Sequence, residues 1–436
     1  MANLIVETSY PLTFREDDAK LLGEYLKNRH NVVLIGMRRV GISSFLRFFL
    51  NKEGVVAKYI TGQDSKDKHL FIPVDLNNLV ERELFPFWIL TLKRIADIAE
   101  GSDLNDAAKK AIAMFFLDGI QSKDLFLLVE NVRKSLVKIV EAGFIPTLFF
   151  LRFDRIKNAA TASFLDNLHG LQDVTNHKLA YVITSFRSLD KIAPSAFPRS
   201  ALISFSHDLY IKPAKKVDME IVYESYRDKY KLEVSPNTKK QLFDLVDGYY
   251  QYLQLVLIYL NEQKEQKNIE DLFDRLIKDE RINLQSEEIW DSLTHKEKMI
   301  LDKQVKNSPI TELEKEDGKY LLDTGIIQTL ADGSFGIFSP LFEHYIKNQE
   351  GKHSSENLIE FSKKEHLLFN FLEKNLDNVC EREEIIEAVW PEQDSLGVSD
   401  WAIDRLIARL RGKLKQQKSS CEIVTVKTRG YKMVNS

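Results

Sequence analysis

The stretch that most limits the fold is Asn31-Val32-Val33-Leu34-Ile35, which runs straight into Gly36-Met37-Arg38-Arg39-Val40-Gly41-Ile42-Ser43-Ser44 and an apolar segment from Phe45 to Leu50. A short apolar run stopped by glycine fits a strand buried on both faces. Strand, glycine-bounded loop and helix form the layout of a phosphate-binding loop, where backbone amides and a helix N-terminus hold an anion. Further buried strands are expected at Leu70–Asp75, Phe144–Phe153 and Leu179–Ser185. Helical patterns occupy Glu83–Ala99, Asp106–Phe116 and Ser122–Glu141. Alternating buried strands and helices predict a parallel sheet covered on both sides, an α/β body.

The loop departs from the pattern at one decisive place. The spacing of Gly36 and Gly41 fits, but the lysine that would reach the terminal phosphates is Ile42, and an aliphatic chain neutralises no phosphate. The residues left to hold a nucleotide are Gly36, Arg38, Arg39, Gly41, Ser43 and Ser44.

Several short matches fall in a fixed order. They are Phe14-Arg15-Glu16 ahead of the first helix, the Gly36–Gly41 loop, the strand ending at Asp154, Thr184-Ser185-Phe186-Arg187, and Phe338-Ser339-Pro340-Leu341-Phe342. In these the region from about residue 11 to 345 resembles the STAND branch of the AAA+ P-loop ATPases. The resemblance implies a parallel sheet followed by a helical lid. It also marks what is missing: the acidic pair of the Walker B strand reads Leu151-Arg152, and a Gly-His-Pro-type turn reads Gly248-Tyr249-Tyr250. Each charged group removed from a phosphoryl-transfer site lowers transition-state stabilisation by about 2–4 kcal/mol. The body is therefore expected not to hydrolyse ATP and to require no cofactor. ATP or ADP bound without hydrolysis, and an empty scaffold, are both open at this stage.

The other informative stretch is Val398 to Lys418. At helical spacing Ile403, Leu406, Ile407, Leu410 and Leu414 form one stripe, while Trp401, Arg405, Ala408, Arg409 and Gly412 form the other, with Ser399 placed to cap the start. Small residues let a helix sink into a groove, and arginines reach phosphates or guanine edges. Ahead of it lie a helix opened by Ser362-Lys363-Lys364-Glu365, a capping-box pattern, and a second helix ending at Trp390-Pro391. Behind it two short strands, Glu422–Val426 and Tyr431–Val434, flank Lys427-Thr428-Arg429-Gly430. Three helices and a hairpin with cations at its tip make a winged helix. The Ala388-Val389-Trp390, Ile403-Asp404, Leu410-Arg411-Gly412-Lys413-Leu414, Thr425-Val426-Lys427 and Gly430-Tyr431 groups resemble the DNA-binding domain of the OmpR/PhoB response regulators. There is little room for that family's small sheet before the first helix, and no receiver domain precedes it.

Charge supports a local nucleic-acid surface. The whole chain carries -4, yet from Trp401 onward nine cations face two acids, Asp404 and Glu422. The reading set is Trp401, Arg405 and Arg409 in the major groove, Arg411, Lys413 and Lys415 on the flanking backbone, and Lys427 with Arg429 as a wing beside the minor groove. Two cysteines form no disulfide framework, nine histidines have no zinc spacing, and the apolar runs are too short to span a bilayer, so a cytoplasmic protein is expected. The tyrosine stripe Tyr249, Tyr250, Tyr252 and Tyr259 is expected to pack a helical interface before it stacks bases. The resulting division is 1–205 α/β, 206–283 lid, 284–347 a winged-helix-like module for protein contact, 348–357 linker and 358–436 winged helix. Three functions fit: a regulator binding double-stranded DNA whose body senses, oligomerises or docks a partner; a nucleotide-switched STAND ATPase tethered to DNA; and an adaptor of a defence or mobile-element system.

Overall fold

The computed structural model describes the chain except residues 1–4, 62–66, 263–270, 331–332, 350–360, 362, 391–399, 417–420, 427–428 and 436, and the side chains of 363, 400–402, 415–416 and 435. It divides into two compact units, Met1–Asn348 and Gln349–Ser436. The expected linker falls mostly outside the described residues, as do the Ser362 and Ser399 caps.

The first unit is built on five parallel strands in the order β2-β3-β4-β1-β5. These are β1 (Asn31–Ile35), β2 (Lys68–Asp75), β3 (Phe144–Leu151), β4 (Ala180–Ser185) and β5 (Ser206–Tyr210). β1 is buried along its whole length because β4 and β5 flank it, with Val32 opposite Val182 and His207. Its one polar residue is satisfied: Asn31 accepts from the Tyr181 amide at 3.0 Å and donates to the Phe205 carbonyl at 2.8 Å.

Strand periodicity divides the interior. Val33, Ile35, Leu148 and Phe150 face the helices Leu84–Glu100, Asp106–Ser122 and Leu125–Glu141, where Phe87, Trp88 and Leu136 meet them. Val32, Leu34 and Phe149 point the other way, toward Phe45 and Phe48 of the loop helix Ile42–Asn51. That second core continues without a break through the lid helices Lys216–Tyr230, Pro236–Val246 and Tyr250–Glu262 to Ile346.

The apolar runs of the sequence mark four strands, with the lid expected from residue 206. β5 corrects this: residues 206–210 pair in parallel with β1 along its full length. The strand escaped because Ser-His-Asp-Leu-Tyr lies at a sheet edge, with His207 and Asp208 exposed, and so lacks the apolar run of a central strand.

The downstream module contains the helices Glu280–Asp291 and His295–Val305 and a hairpin of β6 (Ile327–Thr329) and β7 (Phe335–Ile337). Thr294 and Glu297 form a capping box at its second helix. Tyr249 and Tyr252 are fully buried, so these members of the tyrosine stripe pack the core.

The second unit has three helices, Lys363–Lys374, Arg382–Val389 and Asp400–Gln416, followed by β8 (Cys421–Val426) paired antiparallel with β9 (Gly430–Asn435). All five residues of the apolar stripe, Ile403, Leu406, Ile407, Leu410 and Leu414, are buried in a core with Leu368, Ile385, Trp390 and Met433.

One glycine ties the lid to the strand exit. Gly248 has φ +77°, and a Cβ there would sit 2.2 Å from the Ala214 carbonyl oxygen. Gly143 has a similar φ of +84° with nothing within 4 Å. Gly248→Ala should therefore cost about 2–4 kcal/mol through strain plus collision, and Gly143→Ala only about 1 kcal/mol. Thermal unfolding of the two variants should show the larger drop for Gly248→Ala.

Candidate functional site

The loop following β1 is closed by its own side chains. A Cβ on Gly36 would meet Val40 Cγ1 at 2.9 Å and Ile42 Cδ1 at 3.1 Å, so the residue in the lysine position folds back onto the loop. The lid reaches the same place. The Tyr249 hydroxyl donates to the Arg38 carbonyl at 2.5 Å, and the Gln285 amide donates to Tyr249 at 2.9 Å.

The remaining loop candidates are each engaged. Arg38 stacks over the Phe186 ring at 4.2 Å. Arg39 lies 2.9 Å from the buried Glu288 carboxylate. Ser44 donates to Glu7 at 3.1 Å, and Arg47 bonds the same carboxylate at 2.6 Å. Ser43 is exposed at the helix start. Glu7 lies in a short 3-10 turn and is 5% exposed, a buried carboxylate that no local motif announced.

Arg152 departs furthest from the expected chemistry. It follows β3 with φ +62°, and its amide donates to Thr184 Oγ1 at 2.7 Å. A left-handed non-glycine residue costs of order 1–2 kcal/mol, which the bond at this position helps offset. Its Nη1 donates to Asp75 at 2.5 Å, and its Nη2 lies 3.4 Å from Ser43 Oγ. Asp154 sits in the short turn Phe153–Arg155 beyond the strand. A magnesium ion takes oxygen ligands, commonly one or two carboxylates with substrate phosphates. The carboxylate nearest Ser43 through this network is paired with a guanidinium, so these residues do not fit the ion.

Arg187 lies just beyond the end of β4. Its two terminal nitrogens donate to Glu297 at 2.6 and 2.7 Å, Nη2 also reaches the Ser292 carbonyl at 2.7 Å, and the guanidinium stacks 3.6 Å above Tyr320. A bidentate pair on a carboxylate of 3% exposure joins the end of β4 to the downstream module.

In the second unit, burial of the apolar stripe turns Ala408 and Gly412 outward, both exposed. The cations divide into distinct groups. Arg409 donates to Glu365 Oε1 at 2.8 Å and Lys413 to Glu365 Oε2 at 2.6 Å; Glu365 is 0% exposed. The helical-wheel placement of Arg409 on the open stripe is thereby corrected: a buried carboxylate one helix away draws the guanidinium inward until its side chain is 13% exposed. Glu365 thereby pins the basic helix; the capping box expected with Ser362 lies outside the described residues. Arg411 donates to the Ile423 carbonyl at 2.7 Å and to Thr425 Oγ1 at 2.8 Å, which fixes the hairpin against the helix. Asp404 accepts from Arg382 at 2.6 Å and from the Tyr431 hydroxyl. Burial, followed by that hydrogen bond, pushes the Tyr431 hydroxyl up to about 12, so it stays a donor at neutral pH.

Arg405 is half-buried on the helix, and Arg429 is exposed at the hairpin turn. Gly430 makes that turn: φ is +146°, and a Cβ would lie 2.0 Å from the Cys380 carbonyl oxygen. The side chains of Trp401 and Lys415, and the whole of Lys427, fall outside the described residues. The helix Arg382–Val389 exposes Glu383, Glu384 and Glu387, a face that repels phosphate. Among the described residues no group of histidine, cysteine or carboxylate side chains could hold a metal, and no helix is long and apolar enough to cross a membrane.

Glu365→Gln should destabilise the second unit by about 3 kcal/mol, because two cations lose a buried partner. Hydrogen exchange should speed up across Asp400–Gln416 while the first unit keeps its protection.

Comparison with known proteins agrees with both halves. Residues 355–433 match the family described as transcriptional regulatory protein, C terminal. A Walker-type ATPase of Pyrococcus abyssi superposes with a TM-score of 0.50 at 17% identity, covering 76% of this chain and 95% of that one. The Aeropyrum pernix ORC2 protein, solved with ADPNP and ADP, gives 0.48 at 12% identity over 81% of this chain and 99% of that one. The Aeropyrum pernix ORC1 protein, solved with DNA, gives 0.43 at 11% identity over 100% and 91%. No curated protein matches the sequence. The chain thus joins a body of the AAA+ P-loop fold to a C-terminal winged-helix domain of the OmpR/PhoB type.

Proposed function

We propose that this protein is a regulator that binds double-stranded DNA, probed by the helix Asp400–Gln416, and that its ATPase-like body acts without hydrolysis as a platform for sensing, self-association or partner docking. The observation that carries the DNA reading is the match of residues 355–433 on a unit whose basic helix turns Ala408 and Gly412 outward between flanking cations. Small residues allow the helix axis to approach the groove floor. Arg405 and Trp401 are assigned to bases or the adjacent phosphates, with Lys415 on the backbone and Lys427 and Arg429 in the wing. Arg409, Lys413 and Arg411 are assigned chiefly to holding the helix in its reading orientation. The acidic face of Arg382–Val389 sets the duplex on the other side. We infer a cytoplasmic location with this reading.

The non-hydrolysing body rests on Ile42 and Arg152, which stand where cation and carboxylate chemistry is needed. The competing reading, a nucleotide-driven switch, makes a different demand: ATP turnover that Ser43→Ala abolishes. Full-length protein with ATP and magnesium should release phosphate no faster than that variant.

DNA selected from a random pool supplies the probe for the first reading. Arg405→Ala should weaken binding to the selected site at least tenfold, as expected for loss of about 1–3 kcal/mol of base contact. Arg429→Ala should weaken all sequences alike and lower the dependence on salt. Unchanged affinity in Arg405→Ala by gel-shift titration would remove this helix as the reading element.

A further inference from the structure

In working P-loop ATPases the magnesium ion is held by the serine or threonine of the loop and a carboxylate near the end of a neighbouring strand. Here the corresponding space is entered from the strand side by a cation. We propose that the guanidinium of Arg152 is the resident cation of this loop, standing in the metal's place and excluding a divalent ion.

Backbone and side chain both aim Arg152 at that place. Asp75 ends β2 directly opposite Leu151, so the residue after Leu151 emerges beside its carboxylate. The left-handed turn at Arg152, held by the amide bond to Thr184 Oγ1, sends the side chain back across the strand ends. One nitrogen then rests 2.5 Å from Asp75, while the other comes within 3.4 Å of Ser43. A carboxylate on one side and the loop hydroxyl on the other are the two kinds of ligand a magnesium ion would use. Guanidinium supplies only donors and accepts no bond from a ligand. An incoming divalent ion would meet like charge and a carboxylate already paired.

An ordinary surface ion pair between Arg152 and Asp75 makes a different prediction, because its removal would create no metal site. Manganese serves as the probe, read by electron paramagnetic resonance on the full-length chain without nucleotide. Wild-type protein should show no bound manganese that depends on Ser43. Arg152→Gln removes the cation that reaches both Asp75 and Ser43 and should gain one manganese site, at least tenfold tighter than any in the wild type. Adding Ser43→Ala to that variant should remove the gain. Arg152→Asp, which adds a second carboxylate, should gain the site as well and serves if glutamine impairs folding. Arg152→Lys should stay like wild type. A Ser43-dependent manganese site in wild-type protein, or folded Gln and Asp variants that gain none, would overturn the proposal. The readout is metal occupancy, so its failure is separate from any failure of the DNA-binding reading or of the ATP-turnover test.

Discussion

A parallel sheet has no face that can be left to water, and the body of this protein follows from that constraint. Successive residues of β3 must serve two interiors: Leu148 and Phe150 in one, Phe149 in the other. Helices must cover both, and the crossovers between parallel strands supply the chain for them. The loop at Gly36 is therefore held at the strand ends by an apolar scaffold.

Where charge remains in the body, it is used for attachment. Glu7 joins the N-terminal turn to the loop helix through Ser44 and Arg47. Glu288 takes Arg39, and Glu297 takes Arg187. The last two pairs have acids of 9% and 4% side-chain exposure, so removing either partner would strand a poorly hydrated charge. The same device recurs in the second unit, where Glu365 gathers Arg409 and Lys413. Packing sets which face of the basic helix is inside, and this carboxylate fixes the angle at which the other face is offered.

Much of this was legible in the residues. Long apolar runs marked β1, β3 and β4, and the period of Ile403, Leu406, Ile407, Leu410 and Leu414 placed the inner side of the basic helix correctly. β5 was not legible, because an edge strand that opens on Ser206, His207 and Asp208 resembles a loop. The fate of individual cations was less legible still. Helical spacing locates a Cβ, but a long side chain travels several ångströms from it, and Arg409 crosses to a carboxylate 44 residues earlier in the chain. Glu365 reads in the sequence as part of a capping box, and only the packing of helices brings it beside Arg409 and Lys413. The substitutions at Ile42 and Arg152 were visible as departures; that Arg152 turns back toward Ser43 depends on a backbone angle no pattern encodes.

Tyr249 joins the glycine loop to the downstream module. Its hydroxyl bridges the Arg38 carbonyl and Gln285 of the helix Glu280–Asp291, while its ring lies among Tyr252 and Phe338. Any partner that displaced that helix would tug on the glycine loop through a rigid aromatic strut, and any occupant of the loop would push back along it. Loop and downstream helix thus share one buried side chain, through which a displacement of either reaches the other.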